Sequence, residues 1–233
     1  VNTLRTVSDA KRDFYTAHTR PINSVYRRVV EELLVEMHLL SVNLDFRYDP
    51  VYALGVFTSF ERFMQGYRPE NDCQSIFRAL CQSVGGDAQQ YRQDAENLLA
   101  IAKGMSVSDF LAKLSAPTSF PAGDEPLLGT LQAIKQRPNF KYSRLFAVGL
   151  YTVLVEADPE IAKDPEKRNL ILKQVSEALN LPSEKLQKDL DIYRSNLDKM
   201  DQLLGVIEEA LQAERKKREQ REQEKTAAET SEH

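Results

Sequence analysis

Residues 186–211 read LQKDLDIYRSNLDKMDQLLGVIEEAL, and their spacing decides the fold class. Apolar residues fall at Leu186, Leu190, Tyr193, Leu197, Met200, Leu204, Ile207 and Leu211, in alternating steps of 4 and 3. That is a heptad seam, and only a helix turns it into one continuous face. With 42% apolar residues in the chain, one preselected register fills all eight positions by chance roughly once in a thousand. After Leu211 the seam stops, but strong helix formers continue without Gly or Pro from Gln212 to Lys225. Glu214 and Arg218 form a favourably oriented i,i+4 pair there. A helix over 183–225 has a length of about 64 Å, more than a domain of this size is wide. It has to project or meet a partner. Residues 226–233, TAAETSEH, are expected to be a disordered tail.

Two readings of the seam remain open at this point. Residues 186–204 can pack on the chain's own helices. For 205–225 no comparable apolar face is left to receive the helix, so docking to a partner or a homodimer seam is favoured. The partner-binding residues expected on this reading are Leu204, Ile207, Leu211, Arg215 and Arg218. Tyr193 and Met200 in the seam favour docking to a shaped receiver over a self-sufficient two-stranded coil.

Working outward, the ten prolines fall between segments of helical period or at their first turns. Asp49-Pro50, Asp158-Pro159 and Asp164-Pro165 each place a capping acceptor before a first turn. Ser106 to Asp109 resembles a capping box, and Gly85-Gly86 and Gly104 sit where glycines close helices. The pattern predicts helices near 8–18, 22–41, 50–65, 72–84, 87–103, 106–115, 125–136, 139–156 and 165–180, before the long one. Segment 22–41 carries an apolar stripe too wide for a surface helix, which places it in the middle of the fold with 50–65 and the run 142–155. Val42 to Tyr48 alternates with period two; with no second such run to pair with, it is expected to be an extended connector crossing the core. Residues 116–125, APTSFPAGDE, form the main loop. The expected architecture is all-α: one multi-helix globular domain over 1–182, then a long protruding coiled-coil-like helix.

Composition excludes several function classes. The formal charge of −4 and pI near 5.6 argue against holding nucleic acid by bulk charge. Two cysteines cannot staple a secreted scaffold. The longest uncharged stretch, Leu145 to Val155, has eleven residues, about 16 Å of helix against a hydrocarbon core of about 30 Å. Position 1 is Val, which points to a trimmed N-terminus, and no basic, apolar leader follows it.

A search for chemistry returns little. There is no H-E-x-x-H, Walker loop, G-x-S-x-G or G-x-G-x-x-G. His38 has Glu31, Glu32 and Glu36 nearby on one helix, which fits a structural histidine better than a base or ligand. Cys73 and Cys81 lie eight residues apart, about 12 Å of rise, which places them beyond bonding distance as small buried hydrophobes. No catalytic residue, metal or cofactor is expected. One asymmetry stands out: residues 1–30 hold six cations against two carboxylates. Arg12, Arg20, Arg27 and Arg28 make a candidate basic face for anionic lipid or an acidic partner, against the ordinary reading of a solvated surface.

The N-terminal text RTVSDAKRDFYTAHTRPINSVYRRVVEELLVEMHLLSVNLDFRYDPVYALGVFTSFERFMQGYRPE (5–70) closely resembles the thylakoid formation protein family, also described as a photosystem II biogenesis accessory family. SIFRALCQ (75–82), KYSRLFAVGLYTVLVEAD (141–158) and SEALNLPSEKLQKDLDIYRSNLDKM (176–200) extend the resemblance to about residue 205. The resemblance implies a non-enzymatic accessory factor of oxygenic phototrophs, peripheral to the thylakoid on the cytoplasmic, stromal-equivalent side. It further implies a role in photosystem II assembly and repair and association with the FtsH-type membrane protease. Plant relatives begin with a transit peptide, and its absence here points to a cyanobacterial source or a mature form. The family supplies no catalytic motif and does not say which residues touch the protease.

Overall fold

The computed structural model describes residues 5–115 and 123–230, with side chains through residue 220. Its elements are α1 (Val7–Ala17), α2 (Ser24–Ser41), α3 (Pro50–Phe63), α4 (Asn71–Ser83), α5 (Ala88–Lys103), α6 (Val107–Ser115), α7 (Glu125–Lys135), α8 (Arg144–Ala157), α9 (Glu160–Lys163), α10 (Pro165–Ala178) and α11 (Ser183–Thr230). No strand occurs among the described residues, so the protein is all-α. Residues 116–122 of the expected main loop, and 231–233 of the expected tail, lie outside the described residues.

Local chemistry sets the helix starts. Asp49 accepts from the Tyr52 amide ahead of Pro50, and Asp164 accepts from the Glu166 and Lys167 amides ahead of Pro165. Asp158 accepts from Glu160 and so starts α9, a single turn that the sequence pattern is too short to show. At Ser106 only half of the expected box forms: the Asp109 amide donates to Oγ, and the hydroxyl donates back to the carboxylate. A full box closes instead at Thr6 and Asp9. Gly85 ends α4 with φ +79°, the left-handed conformation expected of it, whereas Gly104 has an ordinary φ of −88°. Asn180 takes the left-handed position after α10, and the Leu181 amide reaches back to Ser176 O at 2.8 Å.

The centre of the fold is the crossing of α3 with α8, flanked by α5. A Cβ on Gly55 would lie 1.7 Å from Leu145 O, and one on Gly149 would lie 1.9 Å from Val51 O. The two backbones therefore touch, and Val51, Ala53, Leu54, Val56, Ala147 and Leu150 around them are fully buried. The sequence reading put 22–41 in this centre. In the structure α2 lies to the side: it buries Tyr26, Val30, Leu33, Leu34, Met37, His38 and Leu40 but leaves Leu39 57% exposed and Val35 half-buried. Apolar character alone did not reveal that the centre belongs to the helices carrying glycines at the crossing.

Two further expectations are corrected. α8 begins at Arg144 rather than near 139, because Ser143 caps it through the Phe146 amide while residues 137–142 form a turn and an extended approach. Val42 to Tyr48 does not cross the core. It turns at the surface, with the Asp45 amide donating to Asn43 Oδ1 and Arg47 Nη1 donating to the carbonyls of Leu44 and Phe46. Leu44 stands 88% exposed at its tip. Packing accounts for the second half of the alternation alone: Phe46 packs on Tyr52 and Tyr48 on Tyr91, while Asp45 and Arg47 face solvent.

The chain divides into two compact units after Asp191. The first includes the start of α11, where Leu186 and Leu190 are buried, the Tyr142 hydroxyl donates to Asp189 at 2.9 Å, and the Lys185 ammonium lies 5.5 Å from the Tyr142 ring centroid. Described by itself, the second unit is helix through Thr230. The tail expected to be disordered from 226 thus stays helical through 230, since Ala227, Ala228 and Glu229 propagate a helix already nucleated.

Candidate interaction surfaces

The first candidate surface lies on α11. Of the residues expected to bind a partner, Leu204 is half-buried, Ile207 is 37% exposed and Leu211 is 53% exposed; Arg215 and Arg218 are exposed. Leu203 and Val206, which the heptad seam does not include, are 43% and 63% exposed. The open apolar face is therefore built from 203, 206, 207 and 211, rotated from the seam toward 203. Its signal was in the sequence as i, i+3, i+4, i+8 spacing, hidden because the unbroken heptad claimed Leu204 first.

The second candidate is the N-terminal basic face. Arg12 pairs with Asp9 at 2.8 Å, Arg20 with the buried Asp72 at 2.6 Å and Arg28 with Glu32 at 3.0 Å. Arg27 forms no ion pair among the described residues, but its charge helps to hold the Glu31 carboxyl below its ordinary range, behind the hydrogen bonds from Lys11 and Tyr15. Burial, reinforced by that acceptor, pushes the Tyr15 phenol up to about 12. An open groove of about 780 Å³ runs along α2 past Arg27, Arg28, Val35 and Leu39, between Lys11 of α1 and Arg144 of α8. The pairs Lys11–Glu31 and Arg144–Glu36 cross it at 2.6 and 2.5 Å. The excess of positive charge counted in the sequence is thus largely matched by carboxylates that folding brings to it from later in the chain.

Buried polar groups have structural surroundings. His38 is buried on α2. His18, also buried, has Nδ1 2.9 Å from Ser75 Oγ and Nε2 without a partner, and burial holds its pKa below the ordinary value. The neighbouring Asp72 carboxylate pairs with Arg20, and no His–carboxylate hydrogen bond completes a catalytic triad among the described residues. Asp49, almost completely buried at the start of α3, has its carboxyl pushed up to about 6 by desolvation, against the amides of Tyr52 and Val51 and the charge of Arg137. Cys81 is buried and its thiol is raised to about 12 by burial, while Cys73 is only half-buried. Among the described residues, no cluster of His, Cys, Asp and Glu could hold a metal ion. No described helix is long and apolar enough to cross a membrane.

The lengths of chain that form these surfaces match a known family. A family model described as thylakoid formation protein fits residues 6–222. The chain belongs to the thylakoid formation protein family. Within the family, Protein Thf1 of Gloeothece citriformis (strain PCC 7424) is 67% identical over 217 residues, 93% of this chain and 96% of that one. Protein Thf1 of Rippkaea orientalis (strain PCC 8801 / RF-1) is 63% identical over 221 residues, 95% of this chain and 94% of the relative. A solved structure of Psb29 at 1.55 Å superposes with a TM-score of 0.81 at 46% identity, covering 92% of this chain and 98% of the other. The family match reaches well past residue 205, where the recognisable strings end, and takes in the charged run 214–218.

Proposed function

We propose that this protein is a non-enzymatic accessory factor in thylakoid membrane and photosystem II biogenesis and repair. It works peripherally, on the cytoplasmic (stromal-equivalent) side of the thylakoid, by binding and stabilising an FtsH-type protease complex through α11. Membership of the family supports the thylakoid setting. The observation that carries the docking mode is the open apolar face of Leu203, Val206, Ile207 and Leu211. A helix of this length does not leave such a face open without cost, and covering it contributes on the order of 1 kcal/mol per residue. Binding the assembled protease in preference to its dissociated subunits then favours assembly by mass action. Protein docking is preferred to lipid binding at the N-terminal face because Arg12, Arg20 and Arg28 are already paired with carboxylates.

The test is deletion of residues 205–233. Co-purification with the protease should be lost while the remaining domain still unfolds cooperatively. Undiminished co-purification removes α11 from the docking role. For the lipid reading, charge reversal at Arg27 and Arg28 should leave flotation with anionic liposomes unchanged; a salt-sensitive flotation that it abolishes would restore that reading.

A further inference from the structure

Arg12, Arg20, Arg28, Arg68 and Arg144 each lie against a carboxylate. Arg78 of α4 and Arg92 of α5 do not: neither makes a hydrogen bond or an ion pair among the described residues. Both line a cleft of about 550 Å³ between their helices, together with Gln74, Gln82, Gln89 and the buried Phe77. The turn joining the helices is short, closed by the Gly86 amide donating to Cys81 O at 2.9 Å. Arg78 lies about 8 Å before the end of α4 and Arg92 about 6 Å after the start of α5, so the two cations stand at similar height. Arg92 is half-buried, its guanidinium carbon 5.9 Å from the Phe57 ring centroid, and Phe57 meets Phe77 edge-on at 5.7 Å. Packing thus positions one arginine before any ligand arrives. Among the described lining residues Asp87 is the one carboxylate, and the Gln89 amide donates to its Oδ1 at 2.9 Å as part of the α5 cap.

Two like charges at one cleft repel each other and oppose folding, whereas an anion between them removes the repulsion. The groove along α2 differs, because Glu31, Glu32 and Glu36 already match its cations. One guanidinium fork satisfies a single carboxylate, but a tetrahedral oxyanion has oxygens enough to bridge two forks from different helices. The start of α5 adds the positive end of its dipole. The volume is more than a bare ion fills and lies in the range of small-molecule sites, about 300–1,000 Å³. Three glutamine amides offer donors and acceptors to whatever the anion is attached to. We propose that the α4–α5 cleft binds a phosphate ester, with the phosphate bridged by Arg78 and Arg92 and the esterified, hydroxyl-bearing group held by the glutamines. The same phosphate chemistry is offered by a soluble ester and by a phospholipid headgroup. The site draws on α4 and α5 alone and does not depend on the docking reading of α11.

The experiment titrates the full chain with glycerol 3-phosphate by calorimetry at about 0.05 M salt, where charge is little screened. A second arm follows flotation with vesicles of equal parts phosphatidylglycerol and phosphatidylcholine. Four proteins are compared: the parent, Arg78→Gln, Arg92→Gln, and Arg62→Gln as a control at an exposed arginine outside the cleft. Glutamine keeps the helix propensity of the residue it replaces, and Arg78 is exposed, so Arg78→Gln should leave the urea midpoint unchanged. Arg78→Gln and Arg92→Gln should each weaken binding about tenfold or more, the loss of a charge-assisted contact, while Arg62→Gln binds as the parent does. That loss in the calorimeter without flotation assigns a soluble ester, and flotation abolished by the same two variants assigns the lipid headgroup. The proposal is overturned if the parent neither binds glycerol 3-phosphate nor floats, or if Arg78→Gln and Arg92→Gln match it in both arms. Acetate displacing glycerol 3-phosphate at equal concentration overturns the bridged tetrahedral anion and leaves only unspecific charge.

Discussion

Gly149 and Gly205 both lie inside helices, where glycine weakens the backbone, yet they mark opposite regimes. At Gly149 in α8 a methyl group would be driven into the carbonyl of Val51 at 1.9 Å. At Gly205 in α11 it would meet nothing within 4 Å. In the first region packing dictates residue identity to within one carbon atom. In the second the helix answers only to its own propensity and charge, which leaves its surface free for recognition. The comparison shows where the protein is built for stability and where it has room for a partner.

The strongest way to break that comparison is Gly149→Ala. It should cost more than about 4 kcal/mol, because two packed backbones must separate, and urea denaturation should show either a collapsed midpoint or no folded protein. A midpoint close to the parent's would mean that α3 and α8 do not touch as described. Leu54→Ala, at a fully buried position of α3, should cost about 2–5 kcal/mol. Leu211→Ala, at a half-open one, should leave the unfolding midpoint unchanged and weaken only association. If both destabilise the domain equally, α11 is core and the distinction fails.

A pH experiment sharpens the buried side of the comparison. With the Asp49 carboxyl raised from 3.8 to about 6, the native state keeps a proton that the unfolded chain has lost in that window, so stability falls as pH rises from about 4 to about 6. The change is on the order of 2–3 kcal/mol. Asp49→Asn, which retains an acceptor for the Tyr52 amide, should flatten the profile between those pH values. Glu31 works in the opposite direction: its carboxyl is lowered in the native state, so its contribution is present above its unfolded value and is lost as pH falls through the folded one. The smallest expected effect is at Gly205→Ala, which should strengthen α11 by at most about 1 kcal/mol. It should appear as slower amide exchange near residue 205 with no shift in the domain's unfolding midpoint.

Much of the architecture was legible from local chemistry. Asp49-Pro50 and Asp164-Pro165 mark helix starts because a capping oxygen and a fixed φ act within one turn, whatever surrounds them. The heptad steps from Leu186 announced α11 for the same reason. The candidate surface was legible only in part. Ile207 and Leu211 were found, but Leu203 and Val206 were passed over, because periodicity shows that a face exists and not which side of it is open.

What the sequence determined by itself is the helical class, most helix starts, the family, and the absence of any recognisable catalytic motif, since each is written in spacing or residue type along the chain. What the tertiary structure decided is the choice of α3 and α8 as the centre in place of α2, the surface turn at 42–48, and the matching of Arg20 by Asp72 and of Lys11 by Glu31. These depend on which distant residues come within a few ångströms of one another. A backbone crossing at Gly55 and Gly149, or an ion pair between Arg20 and Asp72, joins positions that no local period connects.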